Sequence, residues 1–205
     1  MKFVKQYVGA VLAMWAMVTV AAPVADTALD VVRTTADQVL AQVTANKTRL
    51  DQDPKGIYQL VEQTVVPRFD FTTMTQAALG RYWRRATPDQ QAQVTNEFKE
   101  LLVRTYAVAL LGYSGQQIEY MPVRLTVGET DVMIPTRIAT GTGGPPVPIN
   151  YRMHVVNGDW MVYDVVIDGV SLVTNYRSTF ASSVQRRGID GLIQQLAERN
   201  AQLRG

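Results

Sequence analysis

The chain has 205 residues, of which 47% are hydrophobic and 19% charged, too apolar for intrinsic disorder and too balanced for a multi-span membrane protein. With Cys 0 and His 1 it has no disulfide, thiolate nucleophile, cysteine metal site or paired-imidazole relay. Lys+Arg 20 against Asp+Glu 18 gives +2, but Lys2 and Lys5 lie in a segment expected to be removed; the mature chain is then formally neutral, and nucleic acid is not an expected partner.

That segment has the order of a secretory signal peptide. Lys2 and Lys5 form a positive start, Tyr7 to Val20 is an almost unbroken apolar run, and the small residues Ala21, Ala22 and Ala25 precede the first acid, Asp26. The apolar run is shorter than the roughly 20 residues of a membrane anchor. Residues 1–22 are therefore read as the signal peptide and 23–205 as one exported domain, with cleavage between Ala22 and Asp26.

The mature chain reads as helices, then strands, then helices. Leu29, Val32, Ala36, Val39, Leu40 and Val43 recur at helical spacing and predict a helix over 27–49. Asp53-Pro54 opens the next helix, with Ile57, Leu60, Val61, Thr64 and Val65 on its face, and Pro67 stops it. Asp70 can cap a short helix that leaves at Gly80, with Phe69 and Met74 spaced as a hydrophobic staple. Thr87-Pro88 and Gln90 open the longest helix, 88–113, with Val94, Phe98, Leu101, Leu102, Tyr106, Ala109, Leu110 and Tyr113 as its stripe. Residues 117–127, 131–140, 147–156 and 159–168 read as four strands, and Gly141 to Pro146 as a hairpin loop. Helical spacing returns over 170–203 in two stripes, Leu172, Tyr176, Phe180 and Val184, then Ile189, Leu192, Ile193 and Leu196. Helices over 27–113, a four-stranded antiparallel sheet over 115–168 and C-terminal helices define an α+β fold.

Asn157-Gly158 leaves the last hairpin two registers. A two-residue type I′ loop pairs Val155 with Trp160 and Tyr151 with Asp164, placing a carboxylate on the face of Ile149, Tyr151 and Met153. A three-residue loop with a G1 bulge faces Met153 with Met161 and Tyr151 with Tyr163. It joins Val165 and Ile167 to the apolar face and puts Asp164 beside Asn150 on the other. Burying an unpaired carboxylate costs several kcal/mol, which favours the bulged register.

Catalytic groupings are sparse. The single His154 sits mid-strand between Met153 and Val155 and reads as a polar-face residue. Gly141 to Gly144 runs into Pro-Pro rather than a helix. Asp164 and Asp168 would stand about 13 Å apart along a strand, too far for a retaining glycosidase pair. Arg81-Tyr82-Trp83-Arg84-Arg85 mixes cations and aromatics as headgroup or nucleic-acid sites do. The favoured reading has Tyr82 and Trp83 packing inward and the arginines pairing with carboxylates. Metals and cofactors are not expected. The positive signal is abundant bulky apolar surface, which suits either a packed core or an apolar ligand pocket where a sheet wraps around helices.

Val66-Pro67-Arg68-Phe69-Asp70-Phe71-Thr72-Thr73-Met74 and Ala78-Leu79-Gly80-Arg81-Tyr82-Trp83-Arg84 resemble the MlaC family, also called the toluene-tolerance family. So do Thr87-Pro88, Phe98, Leu101-Leu102 and Arg104-Thr105-Tyr106. The C-terminal half adds Trp160, Tyr163-Asp164-Val165, Ile167 to Leu172, Asn175-Tyr176-Arg177, Gly188, Leu192-Ile193 and Leu196. These blocks run in order along the mature chain, and only the cleavage junction is atypical.

The resemblance implies a curved, nuclear-transport-factor-2-like sheet packed with a helical subdomain around an apolar cavity. It implies a periplasmic shuttle, not an enzyme, with a glycerophospholipid as cargo. Its partners would be an inner-membrane ABC transporter complex and an outer-membrane lipoprotein–porin complex, and its role the maintenance of outer-membrane lipid asymmetry. On this reading the helices line the acyl-chain pocket with Phe71, Met74, Leu79, Tyr82, Trp83, Phe98, Leu102, Tyr106 and Tyr176. The strands add Ile149, Tyr151, Met153, Met161, Tyr163, Val165 and Ile167. The rival readings are an isomerase-like enzyme on the same sheet, with Asp164 as its buried carboxylate, and a structural envelope protein with a filled core.

Overall fold

The computed structural model describes residues 27–124, 126, 128–140 and 143–204. The signal peptide read at residues 1–22 and its cleavage junction lie outside the described residues, as does part of the Gly141 to Pro146 loop.

Helix α1 (Ala28–Ala45) starts at Thr27, which exchanges hydrogen bonds with Asp30 in a capping box. The helix expected over 27–49 stops earlier. Thr44 Oγ1 donates to the Leu40 carbonyl and the Asn46 side-chain amide donates to that of Gln42, so side chains compete for the final carbonyls. A separate helix α2 (Lys47–Gln52) then turns Leu50 inward. Helix α3 (Gly56–Thr64) begins beyond the expected Pro54, because Asp53 accepts from the Lys55 amide in a preceding turn. Helix α4 (Phe71–Leu79) is capped by Asp70 as expected and ends at Gly80, whose φ of 55° favours glycine.

Helix α5 (Pro88–Tyr106) opens with the expected Thr87/Gln90 capping box. It does not run to residue 113. A 3-10 turn, Ala107–Gly112, follows Tyr106, and its tighter winding rotates the apolar stripe. Ala107, the first residue of that turn, is buried, while Tyr106, the last residue of α5, is 37% exposed.

The sheet has five antiparallel strands in the order β1-β2-β3-β4-β5, one more than expected. They are β1 (Ile118–Tyr120), β2 (Asp131–Ile138), β3 (Val147–Val156), β4 (Asp159–Ile167) and β5 (Val170–Ser171). The extra strand exists because Asp168 (φ 49°) and Gly169 (φ 80°) form a two-residue turn that folds Val170 back onto Ile167. Helix α6 (Leu172–Arg204) is broken at Gly188, with φ 73° and ψ −178°, and its halves carry the two expected stripes.

Neither expected hairpin register holds over its whole length. Asn157 (φ 53°) and Gly158 (φ 95°) form a two-residue loop, and Val155 pairs with Trp160 as a type I′ turn requires. A bulge then shifts the ladder between Arg152 and Met153, leaving Tyr163 as the extra residue: Met153 faces Val162, whereas Tyr151 faces Val165. The phase change expected at the turn occurs in mid-strand. Val165 and Ile167 consequently join the apolar face, Asp164 stands opposite Arg152, and Met161, opposite His154, lies on the other face.

Buried side chains form two apolar clusters. The larger joins the sheet to α4, α5, α6 and the start of α1. The smaller joins the end of α1 to α2, α3, Val103 near the end of α5 and Ala107 of the following turn. Phe98 anchors the larger one, meeting Tyr176 and Phe180 edge-on at centroid distances of 4.9 and 5.0 Å. Phe98→Ala should cost about 3–5 kcal/mol, measured by denaturant unfolding, because a fully buried ring would leave a cavity.

Candidate functional site

Three cross-strand rows build the inner face of the sheet: Val132–Met153–Val162, Ile134–Tyr151–Val165 and Thr136–Ile149–Ile167. Residues directly opposite one another in an antiparallel ladder share a face, so the rows make one apolar surface. Thr136 stays compatible with burial by donating its hydroxyl to the Ile149 carbonyl at 2.7 Å. Val31, Val32, Met74, Ala78, Leu79, Leu101 and Leu102 belong to the same core from the helical side. Between sheet and helices, where the cavity was expected, the described residues form a continuous apolar seam. Two surface depressions, of about 390 and 400 Å³, lie elsewhere, one lined by α3 and α5 residues including Tyr58 and Lys99, the other by Tyr82, Arg85 and Gln185.

Of the expected lining residues, Met74, Leu79, Tyr82, Phe98, Leu102, Met153 and Val165 are buried in this core, while Phe71, Trp83, Ile149, Tyr151, Tyr163, Ile167 and Tyr176 pack against it partly buried. Met161 does not join them, since the bulge leaves it on the opposite face, and Tyr106 is exposed where α5 gives way to the 3-10 turn. The same core also takes in Val31, Val32, Ala78, Val132, Ile134 and Val162, which were not among the expected lining residues. The apolar alternation of Val132 and Ile134 was the available signal.

The seam holds a phenol rather than a charge at its centre. Burial, aided by neighbouring Tyr120 and only partly offset by Thr136, pushes the Tyr151 hydroxyl up to about 12. It is a neutral hydrogen-bonding group across the physiological range. Asp164 is 3% exposed, and both carboxylate oxygens are engaged: Ser171 Oγ donates at 2.7 Å and the Val173 amide at 3.2 Å. That carboxylate secures the first turn of α6 and lies on the face opposite Tyr151, away from the isomerase-like position considered from the sequence.

The arginines of the Arg81–Arg85 stretch do not pair as expected. Tyr82 does pack inward, at 5% exposure, but Arg81, Arg84 and Arg85 have no carboxylate partner among the described residues. Arg81 and Arg85 instead lie over the Tyr82 ring at 5.0 and 5.8 Å.

The family model described as MlaC protein matches residues 33–198. The chain belongs to the MlaC family. It is similar to the toluene tolerance protein Ttg2D of Pseudomonas putida, at 30% identity over 180 residues, 87% of this chain and 81% of that protein. It is also similar to the intermembrane phospholipid transport system binding protein MlaC of Haemophilus influenzae, at 26% identity over 82% of this chain and 79% of that one. A solved phospholipid-binding protein from Ralstonia solanacearum, in complex with a phospholipid, superposes with a TM-score of 0.81 at 40% identity, covering 88% of this chain and 100% of that one.

In this MlaC family member a second carboxylate ties helix to sheet. Asp70 accepts from the Thr73 amide at 2.9 Å and its hydroxyl at 2.6 Å, and His154 Nε2 stands 3.0 Å from Asp70 Oδ2. The Asp70 amide donates to the Val162 carbonyl at 2.8 Å, beside the bulge. Thus His154 does lie on the polar face, and it meets a helix cap 84 positions earlier in the chain. Burial raises the Asp70 carboxyl, but the Thr73 hydrogen bonds and His154 outweigh it and hold it below its ordinary 3.8. A depressed carboxylate stabilises the fold above its unfolded pKa, and that contribution fades as pH falls through the folded value. Asp70→Ala should therefore cost about 1–2 kcal/mol at pH 7, as a lost helix cap, and the gap from the parent should narrow when unfolding is repeated at about pH 3.

Proposed function

We propose that this protein is an exported phospholipid carrier of the Gram-negative periplasm, a binding protein rather than an enzyme. Its acyl-chain site is the seam between the three apolar sheet rows and α1, α4, α5 and α6. One observation carries the reading: a 40%-identical structure spanning 88% of this chain has a phospholipid bound. The residue chemistry supports it. The seam is apolar from both sides, and the polar groups of its sheet rows, the Tyr151 phenol and the Thr136 hydroxyl, are neutral.

Energetics define the task. Two ordinary acyl chains carry about thirty methylenes, each worth roughly 0.8 kcal/mol when removed from water, so the carrier must bury nearly all of both. A bilayer offers equivalent burial, which leaves transfer near balance but slow. We place the protein between an inner-membrane ABC transporter complex and an outer-membrane lipoprotein–porin complex, acting in the maintenance of outer-membrane lipid asymmetry. The separate small cluster of α2, α3 and the ends of α1 and α5 gives the helical wall a unit that can move as the seam opens. Docking at either complex lowers the barrier by favouring that opening.

Native mass spectrometry of protein produced with its leader should find a co-purifying mass in the phospholipid range. An empty protein would overturn the reading. Photo-crosslinkers at Tyr151 or Met153 should label lipid, whereas those at Asn150 or Arg152, on the opposite face, should not. Val165→Trp or Met153→Trp should keep a cooperative melt and lose the lipid, since the ligand can surrender its volume to the new ring. In an ordinary core the same overpacking would cost about 1–3 kcal/mol and lower the melting temperature by several degrees.

A further inference from the structure

The chain is close to neutral overall, yet its charge is segregated. No acidic residue occurs from Phe71 to Pro88 or from Gly169 to Ile189, while those stretches carry Arg81, Arg84, Arg85, Arg177, Arg186 and Arg187, all exposed. The fold brings the stretches together. The Arg177 guanidinium lies against Gly80, where an added Cβ would meet it at 3.3 Å, and Tyr82 shares a depression with Gln185 and Gly188. None of the six arginines has a carboxylate partner among the described residues. Asp190, at the edge of the patch, is engaged by Gln90 Nε2 at 2.7 Å.

We propose that the Gly80–Arg85 turn and the facing part of α6 form an electrostatic docking surface for the phosphate layer of an anionic bilayer. The patch supplies charge without an apolar anchor. Among the described residues the exposed large apolar side chains are Tyr106, Val108, Met133 and Val170; only Val170, at the start of the Gly169–Ile189 stretch and before α6, adjoins the patch, and Tyr82 is buried. A protein partner is gripped through a central, desolvated hot spot. A field of guanidinium groups without one suits a diffuse array of phosphates. Seating Arg81 and Arg85 on the Tyr82 ring, with Arg81 Nη2 donating to its hydroxyl at 2.9 Å, holds two of these groups in place before contact and lowers the entropy lost on docking. The guanidinium groups lie on the outer side of the turn whose Tyr82 ring belongs to the core, so the patch adjoins the acyl-chain seam without lining it.

Co-sedimentation of the purified protein with vesicles tests this. It should bind phosphatidylglycerol vesicles at low salt, ignore phosphatidylcholine vesicles, and be released at roughly 0.5 M salt, where the Debye length has fallen to about 4 Å. The triple variant Arg84→Glu, Arg85→Glu, Arg177→Glu should weaken binding by about a hundredfold or more. Its melting temperature and its co-purified phospholipid, measured by mass spectrometry, should stay at parental levels. Arg49→Glu, on α2, should leave vesicle binding unchanged. Equal binding to both vesicle types, no binding to phosphatidylglycerol by the parent, or full binding by the triple variant would overturn the proposal. Loss of the phospholipid by that variant would also overturn it, by assigning the arginines to the cargo site. A parent that docks on vesicles but carries no lipid would overturn the carrier reading alone.

Discussion

Tyr163 is one residue more than β4 can pair with β3, and the placement of the inner face follows from that surplus. In a regular strand Val162 and Asp164 would share a face and Val165 would point away. The bulge instead sets Val162 opposite Met153 and Val165 opposite Tyr151, so both valines reach the helices and Asp164 is turned aside. At the same place the chain leaving α3 lies beside β4, through the Phe69–Val162 bridge and the Asp70–Val162 hydrogen bond. One irregularity thus selects the side chains of the seam and fixes where α4 starts above it.

The buried and half-buried carboxylates serve construction. Asp70 caps α4 and meets His154; Asp164 receives Ser171 and the second amide of α6. Each places negative charge at a helix N-terminus, where unpaired amides and the helix dipole favour it. Helices that wall the seam are thereby fastened to the sheet through polar contacts at their starts, while their apolar faces provide the lining. An apolar seam needs such fastening, because burial of apolar surface is non-directional.

Charge is distributed to match. The seam contains a neutral phenol, the sheet edge and helix starts hold the engaged acids, and the arginines gather unpaired on the outside near Gly80. Cations left exposed cost little in water and remain available to an external anion, whereas the same groups placed in the seam would have to be desolvated.

Much of the fold was legible because its signals are local. The Thr87 capping box, the Asp70 cap, the Gly80 exit and the two stripes either side of Gly188 depend on residues within a turn or two of one another, and they stand where they were expected. The family was legible too, since its blocks are strings of neighbouring residues. What the sequence could not decide were features set by competition at a distance. The hairpin phase changes at Tyr163 instead of at Asn157-Gly158, because α4 and β3 determine which residues can be buried. Tyr106 and Met161 lie outside the apolar core, the first at the very end of α5 and the second through the shifted ladder. His154 found Asp70, and Arg177 found Gly80, only when the chain brought distant segments together. Hydrogen bonds within a turn are specified by spacing along the chain; the sharing of buried volume among strands and helices is specified only by their packing.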